Sequence, residues 1–294
     1  MESEAFALLQ PTPDGALPLV CDSPHSGTHY PGDFRHCLPL HLLRRGEDTH
    51  VDTLWSAAPA AGAALLAARF PRTYIDVNRS LADLDAELLA EPWPEPLRPG
   101  EKTRLGRGLL WRMLDARTAI YDRRLSVAEV RARIDNYYLP YHQALTSLVD
   151  AAKARFGAVW HLNLHSMPSD AYERLGIASD RPLADFVLGD RDGTTCEPAF
   201  VTLVEEQLRS FGYSVSRNDP YKGVDLISRI GHPAQQSHSL QIEIRRPIYM
   251  DEASCEPHAG FPQLQRDLTR LLGVLGTYVR DRSDSLGERE QVAV

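Results

Sequence analysis

Apolar and polar residues alternate along this chain in two rhythms. The run ALPLVCDSPHSG opens apolar and closes in small and polar residues. That is the pattern of a buried strand, near residues 17–22, delivering His25 to a loop. In DTHVDTLWSAAPAAGAALLAAR, Val51, Leu54, Trp55 and Ala58 recur at helical spacing, which predicts a helix following Asp48. RTYIDVNRS reads as another strand, because Tyr74, Ile75 and Val77 suit a pleated surface. LLAEPWPEPLRPGEKTRLGRG, with four prolines and three glycines, is an excursion from the core. Its length suits a segment that lines or covers a site.

Ser126 and Glu129 form an S-x-x-E capping box that opens a helix, with Pro140 as a kink or break and Gly157 as its stop. AVWHLNLHSM is a strand ending at His165, CEPAFVTLVEEQLRSFGY a helix, and SHSLQIEIRR a strand through Leu240, Ile242 and Ile244. A last helix is expected over 263–280, followed by a frayed, flexible tail over 280–294. Strands alternating with helices, without internal repeats, predict an α/β fold: a mixed, mostly parallel sheet sandwiched by helices. The 294 residues, 43% apolar, are read as one domain.

Charge and cysteines narrow the classes. A net charge of −8 disfavours nucleic acid, which needs a basic stripe. Cys21, Cys37, Cys196 and Cys255 form no CxxC pair, which excludes a cysteine zinc knuckle and suits a reducing compartment. The opening MESEAFALLQPTPDG carries acid where a leader needs base, and no apolar run reaches membrane-spanning length. A cytoplasmic protein that contacts no membrane is expected, with the oligomeric state left open.

Three strand ends each deliver a polar cluster: SPHSG with His25, NLHS with His165 and IEIRR with Glu243. Open α/β sheets hold ligands at such ends, and imidazole with carboxylate suits zinc. Taken singly, each histidine could equally be a hydrogen-bonded core residue. A third ligand has four candidates in GEDTHVDTLW, namely Asp48, Glu47, His50 and Asp52, although an aspartate there is also an ordinary N-cap. Arg79, beside Asn78, could clamp a carboxylate, and Arg112, Lys222 and Arg229 could contact an anion or simply be solvated. LGDRDGTTC lacks the alternating ligands of a calcium loop, and without GxSxG there is no support for Ser23, Ser26 or Ser166 as nucleophiles.

At these residues the sequence resembles the N-formylglutamate amidohydrolase family. SPHSGTHYP, Asp48-Thr49-His50, RTYIDVNR, GLLWR, YLPYHQAL, LNLHSM, LGDRDGTTC and KGVDLISRIGHP through LQIEIRRPIYMDE carry the resemblance, spread over residues 20–252. That family is similar in turn to the zinc carboxypeptidase and aspartoacylase group, which implies an eight-stranded mixed sheet between helices. The resemblance implies zinc, or another divalent transition metal, on His25 and His165, and Glu243 as the catalytic glutamate. It implies Asn78 and Arg79 as a clamp for substrate carboxylate. On the mechanism expected from these residues, Arg229 assists that clamp, and Arg79 or Arg112 is the cation facing the oxyanion. Zinc carboxypeptidases place a glutamate three residues after the first histidine, where this chain has Thr28. Asp48 is the expected replacement, with Glu47 the alternative. The implied activity is hydrolysis of a small anionic N-acyl amino acid, N-formyl-L-glutamate first. The alternatives are another N-acyl amino acid or small peptide, or a binding protein without catalysis.

Overall fold

A computed structural model describes residues 3–292. Its sheet has seven strands in the order β1-β3-β2-β4-β7-β5-β6, one fewer than the resemblance implies. They are β1 (Phe6–Leu9), β2 (Leu19–Ser23), β3 (Ala64–Ala68), β4 (Val159–Met167), β5 (Phe186–Gly189), β6 (Val215–Arg217) and β7 (Ser237–Arg245). Strands β3, β2, β4 and β7 are mutually parallel, while β1 pairs antiparallel with β3 and β5 antiparallel with β7. The carboxyl ends of β2, β4 and β7 therefore lie side by side.

Alternation along these three strands separates two environments. Trp160, Leu162 and Leu164 of β4, with Leu240, Ile242 and Ile244 of β7, join an apolar layer completed by the helices Pro198–Ser210 and Phe261–Val292. The opposite face carries His161, Asn163 and His165 on β4, paired in register with Ser239, Gln241 and Glu243 on β7. Asp22 of β2 pairs with Asn163. A second apolar layer, including Tyr74, Ile75, Val77 and Tyr141, closes over this face. Buried polar groups persist only when hydrogen-bonded. Here Asp22 accepts from Tyr141 Oη at 2.7 Å, Asn163 Nδ2 at 2.7 Å and His161 Nε2 at 2.9 Å.

Three expectations change. The helix after Asp48 is a single turn, Val51–Leu54, and the chain then reaches Gly62, whose φ of 87° suits only a residue without Cβ. ALLAA beyond it is β3, not helix, because it is buried on both faces and paired on both edges. Tertiary context outweighs alanine's helix propensity there. RTYIDVNRS is not a strand but a series of turns, in which Tyr74, Ile75 and Val77 are wholly buried without joining a ladder. The last helix runs to Val292 rather than ending near residue 280, with Leu275, Val279 and Leu286 continuing its apolar stripe. The end of the expected tail, residues 293–294, lies outside the described residues.

The helix opened by Ser126 has both halves of its capping box and is closed by Gly157 at φ 72°. Before Pro140 it widens into a π-turn, Ile134–Tyr138, that accommodates the proline's missing N–H and its ring without breaking the helix. This helix supports the turns facing it. Tyr138 Oη donates to Arg79 O at 2.9 Å, and His142 Nε2 to Val77 O at 2.9 Å. All four cysteines are free, and no helix among the described residues is long and apolar enough to cross a membrane.

Candidate metal and hydrolytic site

His25 follows β2 in a loop pressed against the chain beyond β3. A Cβ on neighbouring Gly27 would fall 2.3 Å from Phe70 O, so that approach requires glycine. Asp48 N–H donates to His25 O at 2.9 Å, which ties the two loops together. His165, near the end of β4, completes a buried group of three.

The donor atoms form a small triangle. His25 Nδ1 lies 3.1 Å from His165 Nδ1 and 3.4 Å from Asp48 Oδ2, and His165 Nδ1 lies 3.0 Å from that same oxygen. Tetrahedral ligands with metal bonds of about 2.0 Å stand about 3.3 Å apart, so the triangle has the size a small divalent cation needs. Ring orientation supports this. His25 Nε2 is 2.7 Å from Asp76 Oδ1, which can only accept, so the proton sits on Nε2. Asn163 donates its Nδ2 to Asp22, which leaves its Oδ1 to accept from His165 Nε2 at 2.7 Å. In the neutral rings both Nδ1 lone pairs then face each other and a carboxylate oxygen. Three electron pairs converging in a buried space repel one another unless a cation lies between them. The donor set therefore fits a metal.

Asp48 is held in the form a metal takes. Burial pushes its carboxyl up, but its contacts with His165 and His25 and the charge of Arg72 outweigh that and hold it well below the usual range. Arg246 Nη2 donates to Asp48 Oδ1 at 3.1 Å and to Glu47 O at 2.6 Å, which leaves Oδ2 for the histidines. The other candidates for third ligand turn elsewhere. Glu47 accepts from Tyr30 Oη at 2.6 Å and Thr49 Oγ1 at 3.0 Å. His50 Nε2 donates to Cys255 O at 2.9 Å, and Asp52 accepts from Thr53 N–H at 2.8 Å.

Glu243 lies opposite His165 on the adjacent strand, on the same sheet face, and accepts from Gln241 Nε2 at 3.1 Å. Burial pushes its carboxyl up to about 7, the range of a proton acceptor near neutrality. Asn78 stands with Nδ2 at 3.2 Å from His165 Nε2, while its Oδ1 accepts from Leu226 N–H at 3.0 Å. Asn78 and Arg79 also line a cleft of 460 Å³, so Asn78 lies between that cleft and the ring nitrogen of His165 that faces away from the triangle.

Two expected basic residues are placed elsewhere. Arg112 is engaged by Asp85 at 2.7 Å and Glu87 at 2.9 Å. Arg229 pairs with Asp225 at 3.2 Å and borders a different hollow, beside His142. Sequence reasoning missed Asp76, Arg246 and Arg72. Arg72 donates to Asp76 Oδ2 at 2.9 Å and lies 5.0 Å over the Trp111 ring. Burial lowers Asp76's competence as an anion, but the charges of Arg72, His25 and Arg79 more than restore it. Arg72's charge also reaches Glu243 and Asp48. RTYIDVNR holds both Arg72 and Asp76, so the signal was present without an assigned role.

Comparison with known proteins identifies the family. The family model for N-formylglutamate amidohydrolase matches residues 17–250. N-formylglutamate deformylases of Pseudomonas aeruginosa and Pseudomonas putida are 29% and 28% identical over 241 and 242 residues, 81% of this chain and 84% of each relative. A crystal structure of N-formylglutamate amidohydrolase from Ralstonia eutropha JMP134 is 63% identical, with a TM-score of 0.93, and the match covers 95% of this chain and 99% of that one. A gene product of Agrobacterium tumefaciens, 17% identical with a TM-score of 0.62, shares the fold. The chain belongs to the N-formylglutamate amidohydrolase family.

Proposed function

We propose that this protein hydrolyses N-formyl-L-glutamate to formate and L-glutamate, using a divalent cation, zinc first, held by His25 Nδ1, Asp48 Oδ2 and His165 Nδ1. The observation that carries the reading is the convergence of three buried lone pairs, 3.0 to 3.4 Å apart, one strand away from a carboxyl of raised pKa. The names of the relatives supply the substrate. A cation in this position would lower the pKa of water and polarise a carbonyl.

The chain's own residues do the rest. Glu243 accepts a proton from water as the water oxygen bonds to the formyl carbon. Arg72, rather than Arg112, suits the developing oxyanion, because its charge already reaches Glu243 and Asp48. The C–N bond then breaks as Glu243 returns the proton to the departing amine. Asn78 and Arg79 hold a carboxylate of the substrate and set its pose.

Glu243→Gln provides the test. The variant should retain about one equivalent of zinc and lose roughly 100- to 10,000-fold in formate release. Near-normal turnover would remove Glu243 from the role. A panel of N-acyl amino acids distinguishes this substrate from its close analogues.

A further inference from the structure

The cleft beside Asn78 sets four basic side chains against three acidic ones. Arg79, Arg98, Lys102 and Arg191 all face it. Arg79 gives its N–H groups to carbonyl oxygens, Asn78 O at 2.9 Å and Arg107 O at 3.4 Å. Arg191 reaches Gly223 O at 3.4 Å. Among the described residues, none of the four has a carboxylate partner within ion-pair distance. Of the three acids in the same walls, Asp83 is engaged by Thr103 Oγ1 and by Gly100 N–H and Asp225 by Arg229, while Glu101, exposed beside Lys102, offsets part of the ammonium's charge.

Lys102 and Arg191 arrive from separate elements. Lys102 sits in the turn Glu101–Arg104, within the proline- and glycine-rich excursion. It is half-buried, and burial, with Arg107 and Arg79 nearby, pushes its ammonium down to about 8. That crowding of like charge is relieved by an anion. Arg191 belongs to LGDRDGTTC, the loop after β5 that matches no calcium site. Arg191 and Asp192 are both left-handed, at φ 51° and 58°, a conformation that side-chain-bearing residues keep only when their surroundings enforce it. Asn218 supplies the enforcement, with Oδ1 accepting from Asp190 N–H at 3.1 Å and Asp192 N–H at 3.3 Å.

The substrate read above is a dianion, and Asn78 with Arg79 accounts for one of its carboxylates. We propose that Lys102 and Arg191, from separate elements lining the cleft, bind the side-chain carboxylate and so select an acidic amino acid. This rests on the hydrolytic reading and adds the residues that set its specificity. An ammonium and a guanidinium both form charge-assisted hydrogen bonds to a carboxylate, which a neutral amide of the same shape cannot match.

The test compares kcat/KM for N-formyl-L-glutamate and N-formyl-L-glutamine in the zinc-loaded wild type, Lys102→Met and Arg191→Gln. The wild type should prefer the acid, and each variant should lower the acid-to-amide ratio roughly 10- to 100-fold, mainly through KM. A general folding defect would lower both substrates together and leave the ratio intact. A ratio unchanged in both variants, or no preference in the wild type, overturns the assignment while the hydrolytic reading stands. Failure of the wild type to cleave either substrate overturns both. Binding of L-glutamate against L-glutamine to the wild type is a second measurement that needs no variant. Tighter, salt-sensitive glutamate binding supports the clamp, and equal affinities overturn it.

Discussion

Asp76 decides which nitrogen of His25 faces the triangle. Its Oδ1 takes the Nε2 proton at 2.7 Å, and its Oδ2 is held by Arg72, so neither oxygen is free to turn. Such a carboxylate behind a ligating imidazole fixes the tautomer and raises the ring's basicity. Asp76→Asn should therefore weaken zinc binding about 10- to 100-fold while leaving the far-ultraviolet circular dichroism unchanged. Competition with a chromophoric chelator measures this, and an unaltered affinity would show that His25 is oriented by something else. His25, His165 and Glu243 stand at the ends of strands whose pattern is local, so their grouping follows from topology. Asp76 acts on a histidine 51 residues away and Arg246 on an aspartate 198 residues away. Nothing in a short window shows such a contact. Asp48 lay between the two: the sequence left it beside Glu47, and the hydrogen bonds of Tyr30 and Thr49 to Glu47 separate them.

Among the elements, the helix starting at Ser126 was legible because capping is a short-range device. Ser126 Oγ accepts from Glu129 N–H at 3.2 Å, and Ser126 N–H donates to Glu129 Oε2 at 2.9 Å. The strand β3 was not legible, because alanine and leucine suit either structure and only pairing on both edges decides. Similarly, RTYIDVNRS has strand composition, yet Asp76 and Asn78 are engaged by side chains and by Leu226 rather than by a ladder. The helix also carries a pH dependence. The hydrogen bonds of Arg123 to Glu129 exceed the effect of burial and, with Ser126 and Arg35, hold its carboxyl well below the ordinary range. A carboxyl depressed in the fold contributes stability above its unfolded pKa, and that contribution fades as pH falls through the folded value. Glu129→Gln should cost about 1 kcal/mol near neutrality through the weakened cap, with the ion pairs adding little because solvent screens them. The gap between variant and wild type should narrow below about pH 4. Urea denaturation across that range checks it, and a gap constant with pH would assign the effect to packing alone.

Across the whole molecule, net charge and local charge have opposite signs. The chain carries −8 overall, yet in its cleft Arg79, Arg98, Lys102 and Arg191 outnumber Asp83, Glu101 and Asp225, so bulk acidity predicted nothing about substrate. The layered α/β architecture was legible from alternating rhythms, whereas the strand total was not. β1, β5 and β6 have four, four and three residues, too few to establish a period, and among the described residues the sheet has seven strands rather than eight. One face of the three central strands holds Asp22, His161, Asn163, His165 and Glu243 in the interior, all buried. Most of these groups satisfy one another, but the triangle of His25, Asp48 and His165 leaves its lone pairs opposed. A bound cation would thus stabilise the native state as well as equip it for chemistry, because the unfolded chain offers no assembled site. Stripping metal with a chelator should lower the thermal midpoint, and adding back zinc should restore it. At free zinc about 1,000 times the dissociation constant, the stabilisation is about 4 kcal/mol. Asp48→Ala removes the negative ligand, so its midpoint should respond far less to zinc. Differential scanning fluorimetry of both proteins with and without zinc decides the matter. Equal shifts in the two would place the stabilising metal away from this triangle.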